Sequence, residues 1–225
     1  MANTDNTFTF LHPMVLMYPN LIEARPFMEN GKPKGAPKFG AGFVIDPKAQ
    51  EDEWKAFREH CIMVARSEWP SIDLKTELNP SNGWPWRSGM KIADARKAKG
   101  KDDALGFLRG MVLIRAGSGC DYPPRLCGFE PNYKVPVEYV DEQRKANRAK
   151  FKPGMLVLAK VNVKTTIVTG NKYVVAYLNM VCSTGNMGPF EISVQKTAAE
   201  VFSGYQGHAT NEDPTGGQTF DEAPF

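Results

Sequence analysis

With 225 residues, 42% of them hydrophobic, the chain can bury a substantial core, and its length suits one domain with insertions and a tail better than two complete domains. Its formal charge is +3. It has no basic n-region followed by an apolar run and nothing near the roughly 18 apolar residues of a membrane span, so the expectation is a soluble, cytoplasmic protein without a membrane partner. Cys61, Cys120, Cys127 and Cys182 stand far apart, with no CxxC spacing and only His12, His60 and His208 to accompany them. Structural zinc is therefore not expected, nor any other metal or cofactor; buried, reduced thiols are.

In chain order, the apolar run Phe8 to Tyr18 reads as a strand ended by the turn signal Pro19-Asn20. From Lys38 to Ile45, Phe39, Ala41, Phe43 and Ile45 recur at a period of two around Gly40 and Gly42, as in a sharply bent strand. Asp46-Pro47 offers a cap and a first-turn proline for a helix to about Trp69. Trp54, Phe57, Cys61, Ile62, Val64 and Ala65 form its apolar stripe, and Glu51, Asp52 and Glu53 suit its positive end. Residues 70–90 keep no period and read as a structured loop. The basic run Lys91 to Lys101 fits a short helix or a mobile arm, Gly110 to Ala116 a short strand, and the proline-rich Tyr122 to Pro136 an extended or turning segment.

The strongest strand signal follows. Val157, Ala159, Val161, Val163, Thr165 and Ile167 alternate with Lys160, Asn162, Lys164 and Thr166 before Gly170-Asn171 turns the chain into Lys172 to Cys182. Residues 191–205 fit a strand or a short helix equally. The pattern predicts a mostly β protein, an OB-fold-like, five-stranded, partly open barrel with one lateral helix and extended loops; a β-sandwich stays open, because periodicity does not reveal strand order. Residues 1–207 would form this domain and residues 208–225 a disordered acidic tail.

Single-stranded nucleic acid asks for cations spaced to follow phosphates and flat side chains that accept unstacked bases. The chain interleaves the two: Lys38 with Phe39 and Phe43; Trp84 and Trp86 with Arg87 and Lys91; Arg115, Tyr122, Arg125 and Tyr133 in alternation. Two indoles around Pro85 in a polar loop are a poor way to fill a core, whereas Trp54 and Trp69 flank the helix and read as core. Lys160 and Lys164 lie on the polar face of the predicted hairpin, where either a ligand or water would suit them. Arg96, Lys97, Lys99 and Lys101 read first as a solvated insertion, and a contact with phosphates is the sharper alternative. Catalysis is not expected. There is no GxxxxGK[ST], HExxH or GxSxG motif, and Gly117-Ser118-Gly119-Cys120-Asp121 is explained by a glycine-rich turn.

The charges are unevenly placed. Residues 1–207 carry all 28 Lys and Arg and 21 of the 25 Asp and Glu, a balance of +7, against −4 beyond them from Glu212, Asp213, Asp221 and Glu222. Such a tail can occupy a basic groove in place of phosphates, and Phe225 with Pro224 and the neighbouring Asp221 and Glu222 can dock in a basic-rimmed apolar pocket of another protein.

Met17-Tyr18-Pro19-Asn20-Leu21, the small-residue strand Pro33 to Ile45, Trp86-Arg87-Ser88-Gly89 and Phe151-Lys152-Pro153-Gly154 resemble a family of bacteriophage single-stranded DNA-binding proteins, related in fold to the helix-destabilising protein of T-odd phages. The resemblance spans roughly residues 14–190, with the tail pattern separate. It implies an OB-fold, sequence-independent binding of single strands in phage DNA replication, recombination and repair, location in the host cytoplasm, and a tail that meets replication proteins such as a DNA polymerase or helicase. It supports Trp86, Arg87 and Lys91 as groove residues. A homodimer or a cooperative assembly on DNA stays open, as does the alternative of a virion structural or assembly protein with a β-barrel core. If the tail competes with DNA, deleting residues 208–225 tightens binding to an oligonucleotide in a titration at fixed salt; equal or weaker affinity refutes the competition.

Overall fold

In the computed structural model the described residues are 6–29, 32–79, 83–100, 105–129, 135–140 and 142–189. Two long hairpins frame the sheet. Strands β1 (Thr7–Glu29) and β2 (Lys32–Ile45) pair antiparallel from Val15↔Val44 to Glu29↔Lys32. Strands β7 (Met155–Val168) and β8 (Asn171–Met187) pair around a turn whose central residues, Thr169 and Gly170, have φ of 49° and 78°. Positive φ at both centres is the hairpin geometry that matches strand twist, and it sits one residue before the Gly170-Asn171 pair the sequence points to.

The first half of β1 lies on β7, and β4 (Val112–Gly119) lies on β2. The circuit β4-β2-β1-β7-β8 then returns to β4 through two parallel pairs, Ala116↔Ala176 and Gly117↔Tyr177. These five strands make the expected OB-like, partly open barrel within an eight-stranded sheet. The three extra strands are short. β3 (Trp86–Ser88) adds to β4, β5 (Arg125–Gly128) pairs parallel with β8 beyond the end of β4, and β6 (Val137–Tyr139) pairs with β5. β4 and β5 therefore occupy one edge of β8 in succession, as a single strand line interrupted at residues 120–124. Sequence periodicity sees neither such a break nor a three-residue strand.

Alternation decides the core. On β2, Phe39, Ala41, Phe43 and Ile45 point inward, joined by Phe10, Ile114, Val161, Val163 and Leu178. Helix α1 (Glu51–Glu68) closes this interior with Phe57, Cys61, Val64 and Ala65. It begins later than Asp46-Pro47 suggests: Asp46 Oδ1 accepts the backbone N–H groups of Lys48 and Ala49 in a preceding turn. The first-turn acid Glu53 serves tertiary structure instead of the helix end. Its Oε1 accepts Leu11 N–H at 2.6 Å and His12 N–H at 3.2 Å, where β1 shifts register between Phe10 and Met14. Gln50 Nε2 donates to Pro13 O beside it.

A second cluster, Val15, Met17, Val44, Leu108 and Leu113, sits on the opposite sheet face. Helix α2 (Gly89–Lys97) packs Ile92 against it, so the first part of the basic run is an ordered helix rather than a loose arm. Gly89 permits the approach, since a Cβ there would fall 2.0 Å from Leu108 O. A five-residue helix α3 (Glu142–Ala146) precedes β7. Cys61, Cys127 and Cys182 are buried, but Cys120 is exposed at the break between β4 and β5, against the expectation for all four. Among the described residues, no helix is long and apolar enough to cross a membrane.

Phe57 touches Phe8, Phe10, Trp54 and Trp86. Phe57→Ala is expected to destabilise the fold by about 3–5 kcal/mol in urea unfolding, the usual cost of emptying a packed aromatic site.

Candidate nucleic-acid interface

The Trp84-Pro85-Trp86 run is held by backbone contacts. Gly83 O accepts Val174 N–H at 2.7 Å and Pro85 O accepts Arg115 N–H at 2.7 Å. Trp86 pairs with Ile114 and Arg87 with Leu113, so strand alternation sends the indole toward the barrel interior and the guanidinium toward the other face. Trp84 and Trp86 stack with ring centroids 4.7 Å apart at 16°, and Trp54 of α1 meets Trp86 edge-on at 5.2 Å and 86°. Arg58, one helical turn on, lies 5.7 Å from the Trp54 ring centre. The stacked pair is in contact, which leaves no slot between the rings. A base can extend the stack but cannot enter it.

Facing these indoles, α2 presents Lys91 and Ala95, with Ile92 and Arg96 alongside, and Lys99 follows in the turn after the helix. Together with Arg87 and Ser88 they enclose an open cavity of about 720 Å³. Four cations line it, and none of its described lining residues is a carboxylate. The acid on α2, Asp94, is engaged by Arg109 at 2.7 Å. This arrangement offers stacking on one wall and positive charge on the other.

A second strip adjoins it. On β4, Arg115 and Gly117 alternate with the buried Ile114, Ala116 and Ser118, so they face outward. Desolvation, and next the positive charge of Arg87, lower the pKa of Arg115. Two guanidiniums held close enough to repel are a place where an anion is favoured. Gly117 pairs with Tyr177, which is 43% exposed, and Lys164 Nζ lies 5.6 Å from that ring. Gly119 pairs with Lys38 and accepts Tyr122 N–H at 3.0 Å, and the Tyr122 side chain stands out at 75% exposure. Lys160 is half-buried on the same outward face of β7.

Of the residues expected to bind, Trp84, Trp86, Arg87 and Lys91 thus come together in the cavity, and Lys38, Arg115, Tyr122, Lys160 and Lys164 fall on the outward sheet face. Phe39 and Phe43 do not belong with them. Their inward register leaves them 8% and 0% exposed, with no ring face for a base. Arg125 gives its guanidinium fork to Glu138, Nε to Oε1 at 2.8 Å and a second bond to Oε2, and that bond holds the Glu138 carboxyl below its ordinary range. Tyr133, Lys101 and the tail residues Asp221, Glu222, Pro224 and Phe225 lie outside the described residues. Trp54, expected in the core, packs against it half-buried and also borders the cavity. Tyr177 went unnoticed in the sequence, although its outward position follows from the alternation of β8.

No family model matches the sequence, and no curated protein does. Solved structures do match. The single-stranded DNA-binding protein from bacteriophage Enc34 in complex with ssDNA superposes with a TM-score of 0.60 at 15% identity, covering 83% of this chain and 90% of that one. A second structure of the Enc34 protein gives 0.60 at 14% identity over 88% and 91% of the two chains. The chain shares their fold. That is the fold which the resemblance in the sequence implies. A C-terminally truncated form of the Enc34 protein matches at 0.57 over 83% and 90% of the chains, at 15% identity.

Two indoles stacked at 4.7 Å should couple excitonically. The far-UV circular dichroism should carry a tryptophan couplet that Trp84→Phe changes, leaving the contribution of the Trp54–Trp86 pair and the β signal.

Proposed function

We propose that this protein binds single-stranded DNA without regard to base sequence. The observation that carries the reading is the Trp84–Trp86 stack facing Lys91, Arg96 and Lys99 across one cavity, with no carboxylate among its described lining residues. A base adds to the indole stack through its π-face, which every base possesses, while the cations neutralise phosphates and release counterions. The outward strip with Arg115, Lys38, Tyr177 and Lys164 supports a path longer than one nucleotide. The fold held in common with the Enc34 protein, one of whose structures is a complex with ssDNA, supports the same reading.

We extend the proposal to a role in phage DNA replication, recombination and repair. In it the acidic tail competes for the basic groove and recruits replication proteins through Phe225, Pro224, Asp221 and Glu222. The +7 balance of residues 1–207 against −4 beyond them supports an electrostatic competition of this kind.

Titration with oligothymidine should quench tryptophan fluorescence, and log affinity should fall linearly with log salt. Trp84→Ala should cost roughly 1–3 kcal/mol of binding, the value of one base–aromatic stack. Unquenched fluorescence together with salt-independent binding would sink the reading.

A further inference from the structure

The donors at one end of the cavity exceed what a passing phosphodiester requires. Arg87, Ser88 and Lys91 follow closely on the indole stack in sequence and line the same cavity. Arg87 Nε is buried with no hydrogen-bond partner within the protein, so no acceptor of the fold ties that edge of the guanidinium. Ser88 makes no side-chain capping bond to α2, and the first turn of that helix holds no acid. A guanidinium, a hydroxyl and an ammonium therefore line the cavity that also holds the indole stack. A phosphodiester brings one negative charge, whereas a phosphomonoester brings about −1.5 to −2 and three strong acceptor oxygens. The donor set matches the monoester.

We propose that this cavity binds the terminal nucleotide of a DNA strand, its base extended from the Trp84–Trp86 stack and its terminal phosphomonoester held by Arg87, Ser88 and Lys91. The site rests on the single-strand reading and adds an end preference to it. Internal stretches of the strand bind along the outward face, and a phosphorylated end docks in the cavity. Because the two indoles touch, the site admits one base on the exposed face of the stack, as a strand end supplies. A free nucleotide carries the same chemistry and is the other source to be distinguished.

The test uses the full chain with oligothymidines of equal length bearing a 5′-phosphate, a 3′-phosphate or only hydroxyl ends, and circular single-stranded DNA as a ligand without ends. Exposed charge pairs each contribute little, so one phosphorylated end should tighten binding by about fivefold to tenfold over its hydroxyl counterpart. Lys91→Ala, at an exposed position that α2 does not need for packing, should shrink that ratio toward unity. Equal affinity for phosphorylated and hydroxyl ends, with circular DNA still bound, would overturn the end site and leave the single-strand reading standing. Failure to bind any of these DNAs would overturn both. Free thymidine monophosphate is the remaining arm. If it displaces the oligonucleotide while the ends show no preference, the cavity is a free-nucleotide site and the strand-end proposal falls.

Discussion

A chain of touching aromatic rings runs from the barrel interior to its surface, and the candidate site depends on it. Phe10 meets Phe57 at 4.9 Å, Phe57 meets Trp86 at 6.0 Å, and Trp86 stacks on Trp84 at 4.7 Å. The first two rings are fully buried, so their positions are set by the free energy of the core. The last two inherit that rigidity. An indole pair on a loop would lose conformational freedom each time it received a base, whereas this pair is ordered before any ligand arrives, which removes part of the cost of binding. Glu53 contributes from the neighbouring position to Trp54 by tying α1 to the backbone of β1 at Leu11 and His12.

The electrostatics are arranged around the same rings. Asp94 is turned to Arg109 and Glu138 to Arg125, so these carboxylates are matched within the fold. Arg115, in contrast, has its pKa lowered by desolvation and next by the positive charge of Arg87. Repulsion left in a folded protein marks a position where stability has not been optimised, a common property of ligand sites.

Much of this was legible in the sequence, and the exceptions share a cause. Periodicity correctly placed the β7–β8 hairpin, the bent strand β2 and the body of α1, because each is long enough for burial to impose its repeat. Aromatic content alone misassigned Phe39 and Phe43, although the alternation that identified β2 already placed both on its inward face. Trp54 packs against the core as its helical stripe predicts, but the stripe does not show that the same ring also borders the cavity. Arg125 is taken up by Glu138 through a strand pairing between β5 and β6, too short to leave a pattern. The convergence of α2 with the indoles was out of reach, because no local rule relates a helix to the strand edge it lies against.

The break between β4 and β5 has a practical consequence. It leaves Cys120 as the exposed thiol of the four, one residue from Gly119 on the outward strip and two from Tyr122. Cys61, Cys127 and Cys182 are shielded by packing. The molecule thus carries a natural handle for a single fluorescent label beside its candidate groove. The label would hang from a bulge that β8 bypasses, where added bulk disturbs neither barrel pairing nor the indole stack.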